Sequence, residues 1–89
     1  MADSFSQLVK QQADIVRIIG EYVKLRKTGA QNHVGLCPFH KEKTGSFSVN
    51  AAHGFYYCFG CHEKGDVFAF IMKMENVSFP EAVRVVAQK

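Results

Sequence analysis

Cys37-Pro38-Phe39-His40, then seventeen intervening residues, then Cys58-Phe59-Gly60-Cys61: this pair of stretches decides the fold of the chain. Two residues between the members of each pair allow a tight turn to aim both side chains at one ion, while the turn's free backbone N–H groups bond the thiolates. Thiolate and imidazole ligands favour zinc over hard cations such as calcium or magnesium. Four protein ligands close a tetrahedral shell, which marks a structural site and argues against catalytic zinc. Gly60 in the second turn fits a position where a Cβ would crowd the metal or require an unfavourable φ. The expected ligands of one structural Zn2+ are therefore Cys37, His40, Cys58 and Cys61. His62 competes with His40 for the fourth place, but it follows Cys61 directly, and adjacent residues seldom point at one ion without strain. Buried cysteines unrelated to any metal, or an iron site on the same ligands, fit the spacing less well. His33 and His53 lie outside both turns and read as ordinary strand or surface histidines.

Two such knuckles, each at the end of a β-hairpin, make a zinc ribbon. Around them, Gly29, Gly35, Gly45 and Gly54 divide the chain between residues 23 and 59 into short runs carrying Val, Phe and Tyr. These runs predict strands near residues 23–27, 33–36, 47–50 and 55–58, joined by tight turns into a small antiparallel sheet. Upstream, residues 4–22 read as helix in two pieces, with Ser4 a candidate cap and Ile15, Val16, Ile18, Ile19, Tyr22 and Val23 an apolar stripe for the core. Downstream, Asp66 is a candidate N-cap, with Val67, Phe68, Ile71 and Met74 facing inward. Ser78-Phe79-Pro80-Glu81 then matches a capping box for a second helix, and Pro80 is tolerated in that first turn. The expected fold class is α+β: a zinc ribbon whose small antiparallel sheet is flanked by N-terminal and C-terminal helices, in one domain over residues 1–89.

The totals agree. At 89 residues a single core is marginal, and a structural metal is one of the few ways so small a scaffold gains stability. The 47% hydrophobic and 21% charged content is that of a globular chain. Three cysteines cannot all pair within one chain, whereas three cysteines and one histidine complete a zinc shell. No stretch approaches the ~20 apolar residues of a membrane span, and the first residues show no secretory signal, so the expectation is a cytoplasmic protein without a membrane partner.

The net charge of +3 is unevenly placed. Lys24, Arg26, Lys27, Lys41, Lys43 and Lys64 against Glu42 and Glu63 give the middle of the chain +4, and six of the eleven aromatics fall there too: Phe39, Phe47, Phe55, Tyr56, Tyr57 and Phe59. Lysines tracking phosphates beside rings that stack on bases are a common way to bind single strands, each stacked base contributing about 1–3 kcal/mol. A lysine cluster is more often a solvated face than a binding site, and half the rings fit a core. Strand alternation would bury one of Tyr56 and Tyr57 and expose the other.

The stretches CPFHKEKTGSFSV (37–49), FYYCFGC (55–61), KGDVFAFIM (64–72) and FPEAV (79–83) resemble the N-terminal zinc-binding domain of bacterial DnaG-type DNA primases. ADIVRIIGEYVKL (13–25) resembles that family's opening helix and strand, so the likeness covers nearly the whole chain. Two positions depart from the pattern: Gly45, where the family usually has proline, is expected to loosen a loop near the DNA, and His62, where a glycine usually follows FGC, to put a larger side chain beside the knuckle where φ is unfavourable; neither removes a ligand. The resemblance implies a module that helps primase recognise its single-stranded DNA template and begin RNA primer synthesis in DNA replication. It implies no catalytic residue here: Mg2+ and its acidic ligands belong to a downstream RNA polymerase domain, which a helicase-binding domain follows, and both are absent from this sequence. Implied partners are the template, the polymerase domain of the same or a neighbouring primase molecule, and the replicative helicase through the full-length protein. Carried onto this chain, the expected DNA face is the sheet surface around Lys27, Lys41, Lys43, Phe47, Tyr56 and Lys64.

Two other function classes compete. A zinc-ribbon interaction module would dock its sheet on a polymerase or helicase and show no salt-dependent affinity for single strands. A zinc hydrolase or deaminase would need an open coordination position and a general base, and Cys37 would compete for that position.

Overall fold

The computed structural model describes residues 4–39, 41 and 45–89. Helices α1 (Ser4–Gln12) and α2 (Ile15–Gly20) open the chain, and strands β1 (Arg26–Lys27), β2 (Asn32–Gly35), β3 (Phe47–Asn50), β4 (Phe55–Cys58) and β5 (Lys64–Asp66) follow. Helices α3 (Val67–Glu75) and α4 (Phe79–Ala87) close it. The five strands form one sheet in sequence order, with every neighbouring pair antiparallel. This is the expected α+β architecture, with a fifth strand that sequence patterning did not reveal: Lys64-Gly65-Asp66 has no apolar alternation, and its pairing with β4 defines it as a strand.

Helix boundaries follow from local chemistry. Asp14 separates α1 from α2, its carboxylate accepting the Arg17 N–H at 3.1 Å. Asp66 caps α3 in the same way, accepting the Ala69 N–H at 2.9 Å, and α3 ends on Asn76 in the left-handed region at φ 55°. The capping box at α4 does not form. Ser78 occupies the N-cap position without a side-chain cap bond, and Glu81 turns instead to Arg84 at 3.0 Å. Ser4, read as a candidate cap, is the first residue of α1.

Register sorts the sheet into two faces. Lys27, His33, Val49, Tyr56 and Gly65 form one cross-strand row, and Arg26, Val34, Ser48, Tyr57 and Lys64 form the next. Adjacent rows point to opposite sides. The first side packs on the helices: Phe47, Val49 and Tyr56 are completely buried, as are Ile19, Phe70 and Ile71. Phe70, not among the residues expected to face inward, is the hub. Its ring lies 5.5–6.2 Å from those of Tyr22, Phe39, Phe47 and Tyr56, and burying a ring of this size is worth roughly 1.5–3 kcal/mol. The predicted stripe of α2 is core, with Ile15, Ile18, Ile19 and Val23 buried. Across the molecule Tyr22 Oη donates to Glu75 at 2.6 Å, and Arg17 donates to the Lys89 carbonyl at 2.6 Å.

Candidate zinc site and nucleic-acid face

Cys37 lies just past β2, Cys58 ends β4, and Cys61 sits in the turn that leads to β5. Antiparallel pairing of β3 with β2 and β4 sets these ends side by side, Gly35 facing Phe47 and Phe47 facing Cys58. The second knuckle is held by its backbone: the His62 N–H donates to the Cys58 carbonyl at 2.7 Å, the Cys58 N–H to the Glu63 carbonyl at 2.8 Å, and the Phe59 N–H to the Ser46 carbonyl at 2.9 Å. The Sγ atoms of Cys37, Cys58 and Cys61 all fall within 4.8 Å of one another, with 3.7 Å between Cys37 and Cys61. That separation is far too long for a disulfide of about 2.05 Å. It matches the roughly 3.8 Å edge of a tetrahedron with Zn–S bonds of about 2.3 Å.

The surroundings of the thiols suit a dication. Burial pushes the Cys37 thiol up to about 12, an effect that the Phe39 N–H at 3.4 Å only partly offsets. At Cys58 burial acts in the same direction, but the N–H groups of Cys61 and Gly60, with the Cys37 thiol and the Ser46 hydroxyl, outweigh it and hold the thiol below its ordinary value. Three such sulfurs carry anionic charge together only around a cation, so the donor set fits zinc. His40, expected as the fourth ligand, lies outside the described residues. From outside, Lys73 of α3 ties the two knuckles together: it pairs with Glu63 beside the second and sits 5.4 Å over the ring of Phe39 in the first.

The left-handed residue of the second knuckle is not Gly60 but His62, at φ 66°. A non-glycine residue there costs on the order of 1–2 kcal/mol. Its ring is not idle, because Nδ1 lies 3.0 Å from the Tyr57 hydroxyl. His33 and His53 stand apart from the thiol cluster, His33 in β2 and His53 in the β3–β4 turn, where its N–H is held by the Asn50 side chain.

Of the residues expected on a DNA face, the structure divides the set. Phe47 and Tyr56 are corrected: both are fully buried on the helix-packed side and cannot stack on a base, because their strand positions share the parity of Val49 and Cys58. Lys27 is exposed but belongs to that same row at the sheet's edge. Lys41 is exposed, and Lys43 lies outside the described residues. Lys64 does lie on the open face, in one row with Arg26, Val34, Ser48 and Tyr57. The residues missed are those of opposite parity. Asn32, Ser48, Asn50, Phe55, Tyr57 and Phe59 line a groove of about 260 Å³ on this face. Phe55 and Phe59 are 41% and 68% exposed, and the Tyr57 and Phe59 rings meet edge to face at 4.8 Å. The period of two in Phe55-Tyr56-Tyr57-Cys58 carried this signal, since a cysteine that must reach a buried metal fixes which parity faces inward.

Comparison with known proteins agrees with this geometry. Residues 1–89 match the family model described as CHC2 zinc finger. A DNA primase of Mycolicibacterium smegmatis is 53% identical over 81 residues, 91% of this chain and 13% of the primase. A DNA primase of Clostridium acetobutylicum is 53% identical over 89 residues, all of this chain and 15% of the primase. The crystal structure of the zinc-binding and RNA polymerase domains of Aquifex aeolicus primase superposes with a TM-score of 0.88 at 35% identity, over 99% of this chain and 21% of that one. The chain thus spans about a seventh of the curated relatives it matches. With the whole chain matched and three thiols gathered at its knuckles, the protein belongs to the CHC2 zinc finger family of primase zinc-binding domains.

Proposed function

We propose that this domain recognises the single-stranded DNA template for a DNA primase and assists initiation of RNA primers, using the open face of its sheet. The observation that carries this reading is the cross-strand row Arg26, Val34, Ser48, Tyr57 and Lys64, cationic at both ends, beside the exposed rings of Phe55 and Phe59. Phosphates would meet the cations at the sheet edges while bases lie over the rings between them. In this reading one Zn2+ is held by Cys37, His40, Cys58 and Cys61, and cross-linking the hairpin ends is what the ion supplies. The domain performs no nucleotidyl transfer itself. Mg2+ chemistry belongs to a polymerase domain working in cis or in trans, and the helicase is reached through the full-length protein.

The test is a fluorescence-anisotropy titration of the zinc-loaded chain with single-stranded DNA at two salt concentrations, beside Tyr57→Ala and Lys64→Ala. Tyr57→Ala should weaken binding about 5- to 100-fold, the equivalent of one stacked base. Lys64→Ala should also weaken it and flatten the salt dependence by about one counterion. Salt-insensitive or absent binding by the unmodified chain would reject the reading.

A second reading, docking on a polymerase or helicase, is favoured by a different feature. Leu36 is 50% exposed in a shallow groove with Lys24, Leu25, Arg26, Val34 and Gly45 at the β1 edge, and that lining is more apolar than a nucleic-acid track requires.

A further inference from the structure

On the reading that the open face of the sheet binds single-stranded DNA, we propose that His62 is a further contact to that strand. Its Nε2–H donates to an oxygen acceptor, a base carbonyl or a phosphate oxygen, of the strand lying on Tyr57 and Phe59.

Three observations meet at this residue. His62 holds a left-handed backbone conformation, φ 66°, that a histidine adopts at a cost and that glycine would adopt freely. Strain of this kind persists where the surroundings over-determine it, and it clusters at functional positions. Here the His62 N–H is held by the Cys58 carbonyl at 2.7 Å, and its ring by the Tyr57 hydroxyl, 3.0 Å from Nδ1. Tyr57 belongs to the outward row of the sheet, so a ring tethered to its hydroxyl stands on the open side of the molecule. His62 itself is exposed.

The tether engages Nδ1 and leaves Nε2 as the ring nitrogen open to a ligand, with no partner among the described residues. In the arrangement proposed, the Tyr57 hydroxyl donates to Nδ1, so that Nε2 carries the N–H. Tyr57 stands between two rings, Phe59 at 4.8 Å in an edge-to-face contact and His62 at 6.2 Å. A base seated on Tyr57 or Phe59 therefore comes within reach of a directed donor. Thymine and cytosine carry a carbonyl oxygen on the edge such a donor would meet, whereas adenine carries none. If the acceptor is a base carbonyl, the preference follows from that difference.

The experiment compares the unmodified zinc-loaded chain with His62→Gly, a substitution suited to φ 66° and distant from the ring packing of the core. Zinc content and near-ultraviolet circular dichroism establish that both are folded. Anisotropy titrations use oligo(dT), oligo(dA) and a strand of abasic sites. The expected result is oligo(dT) binding weakened about 5- to 10-fold in His62→Gly, the loss of one directed hydrogen bond. If oligo(dA) and the abasic strand are unaffected, the acceptor is a base carbonyl; if all three weaken equally, it is a phosphate oxygen. Equal affinities of His62→Gly and the unmodified chain for all three strands, with Tyr57→Ala and Lys64→Ala still impaired, would overturn the role of His62 and leave the template-binding reading standing. No binding of any strand by the unmodified chain would overturn both.

Discussion

Tyr56 and Tyr57 are consecutive in β4 and serve opposite sides of the sheet. Tyr56 is completely buried against Phe39, Phe47 and Phe70, while Tyr57 faces outward and bonds His62. The pair separates the domain's two tasks, since one parity of the strand makes the core that positions the thiols and the other makes the open face. The Tyr56 hydroxyl has no hydrogen-bond partner among the described residues.

That orphan predicts an unusual result for a core substitution. A buried polar atom without a partner retains its desolvation penalty, so Tyr56→Phe should leave stability unchanged or raise it by up to about 1 kcal/mol. Urea unfolding of the zinc-loaded domain measures it. Tyr57→Phe loses its bond to His62 and should cost about 0.5–1.5 kcal/mol in the same assay. A loss above about 1 kcal/mol for Tyr56→Phe would mean that the hydroxyl is satisfied after all.

Alkaline titration offers an independent view of the same core. Burial pushes Tyr56 up to about 12; burial and then the hydrogen bond to Glu75 do the same for Tyr22. In the unfolded chain both ionise near 10. A raised folded value means that the stabilisation is fully present below pH 10 and is lost as pH rises toward 12. Absorbance of tyrosinate should therefore show Tyr22 and Tyr56 ionising only near pH 12, with stability falling across the same interval. Ionisation of Tyr22 and Tyr56 near pH 10 in a folded sample would contradict the burial.

Zinc removal is expected to undo the ribbon. Cys37, Cys58 and Cys61 converge from two separate hairpin ends with no disulfide among the described residues. Metal-binding energies of about 10–16 kcal/mol in zinc-finger peptides exceed what a core this small supplies. Chelation, or Cys61→Ser, should abolish stoichiometric zinc and collapse the dispersion of amide signals from β4 and β5, while a native-like spectrum in Cys61→Ser would remove Cys61 from the ligand set.

Much of this was legible in the sequence. Ligand spacing located the knuckles, and alternation located β3 and β4 to the residue. What escaped was set by tertiary structure. Nothing in Lys64-Gly65-Asp66 alternates, so β5 exists because β4 offers it a free edge. The DNA face is carried over to Phe47 and Tyr56 from the resemblance, which does not assign a ring to a side of the sheet. In the second knuckle the sequence admits an unfavourable φ at both Gly60 and His62, and the left-handed residue is His62.

Glycines give a sharper contrast than that. A Cβ at Gly35 would lie 2.6 Å from the Lys24 carbonyl oxygen and 3.0 Å from Val23, and backbone cannot yield as a flexible side chain can. Gly35→Ala should therefore cost about 1–3 kcal/mol and loosen the pairing of β1 with β2. At Gly45, where the resemblance leads one to expect proline, a Cβ would meet the Gly35 carbonyl at an ordinary 3.5 Å. Gly45→Ala should be neutral or stabilise by about 0.4–1 kcal/mol through the unfolded chain. Paired thermal melts decide it, and equal losses at both positions would show that the β2–β3 corner is packed more tightly than the geometry indicates.

The starts of α2, α3 and α4 provide the last test, because their N-caps look alike in sequence and differ in structure. Asp14 and Asp66 each accept a backbone N–H three residues on, at 3.1 and 2.9 Å, whereas Ser78 makes no such bond and Glu81 pairs with Arg84 instead of returning to it. Replacing a working cap with alanine costs about 0.5–2 kcal/mol. Asp14→Ala and Asp66→Ala should fall in that range. Asp66 should be the costlier of the two, since it also pairs with Lys10 at 3.1 Å and anchors α3 directly behind β5. Ser78→Ala should cost only a few tenths of a kcal/mol, because Pro80 already sets the first turn of α4 and the Ser78 carbonyl still accepts the Ala82 N–H at 2.9 Å. Chemical unfolding of the three variants ranks them, and a loss at Ser78 equal to that at Asp66 would show that the capping box forms in solution.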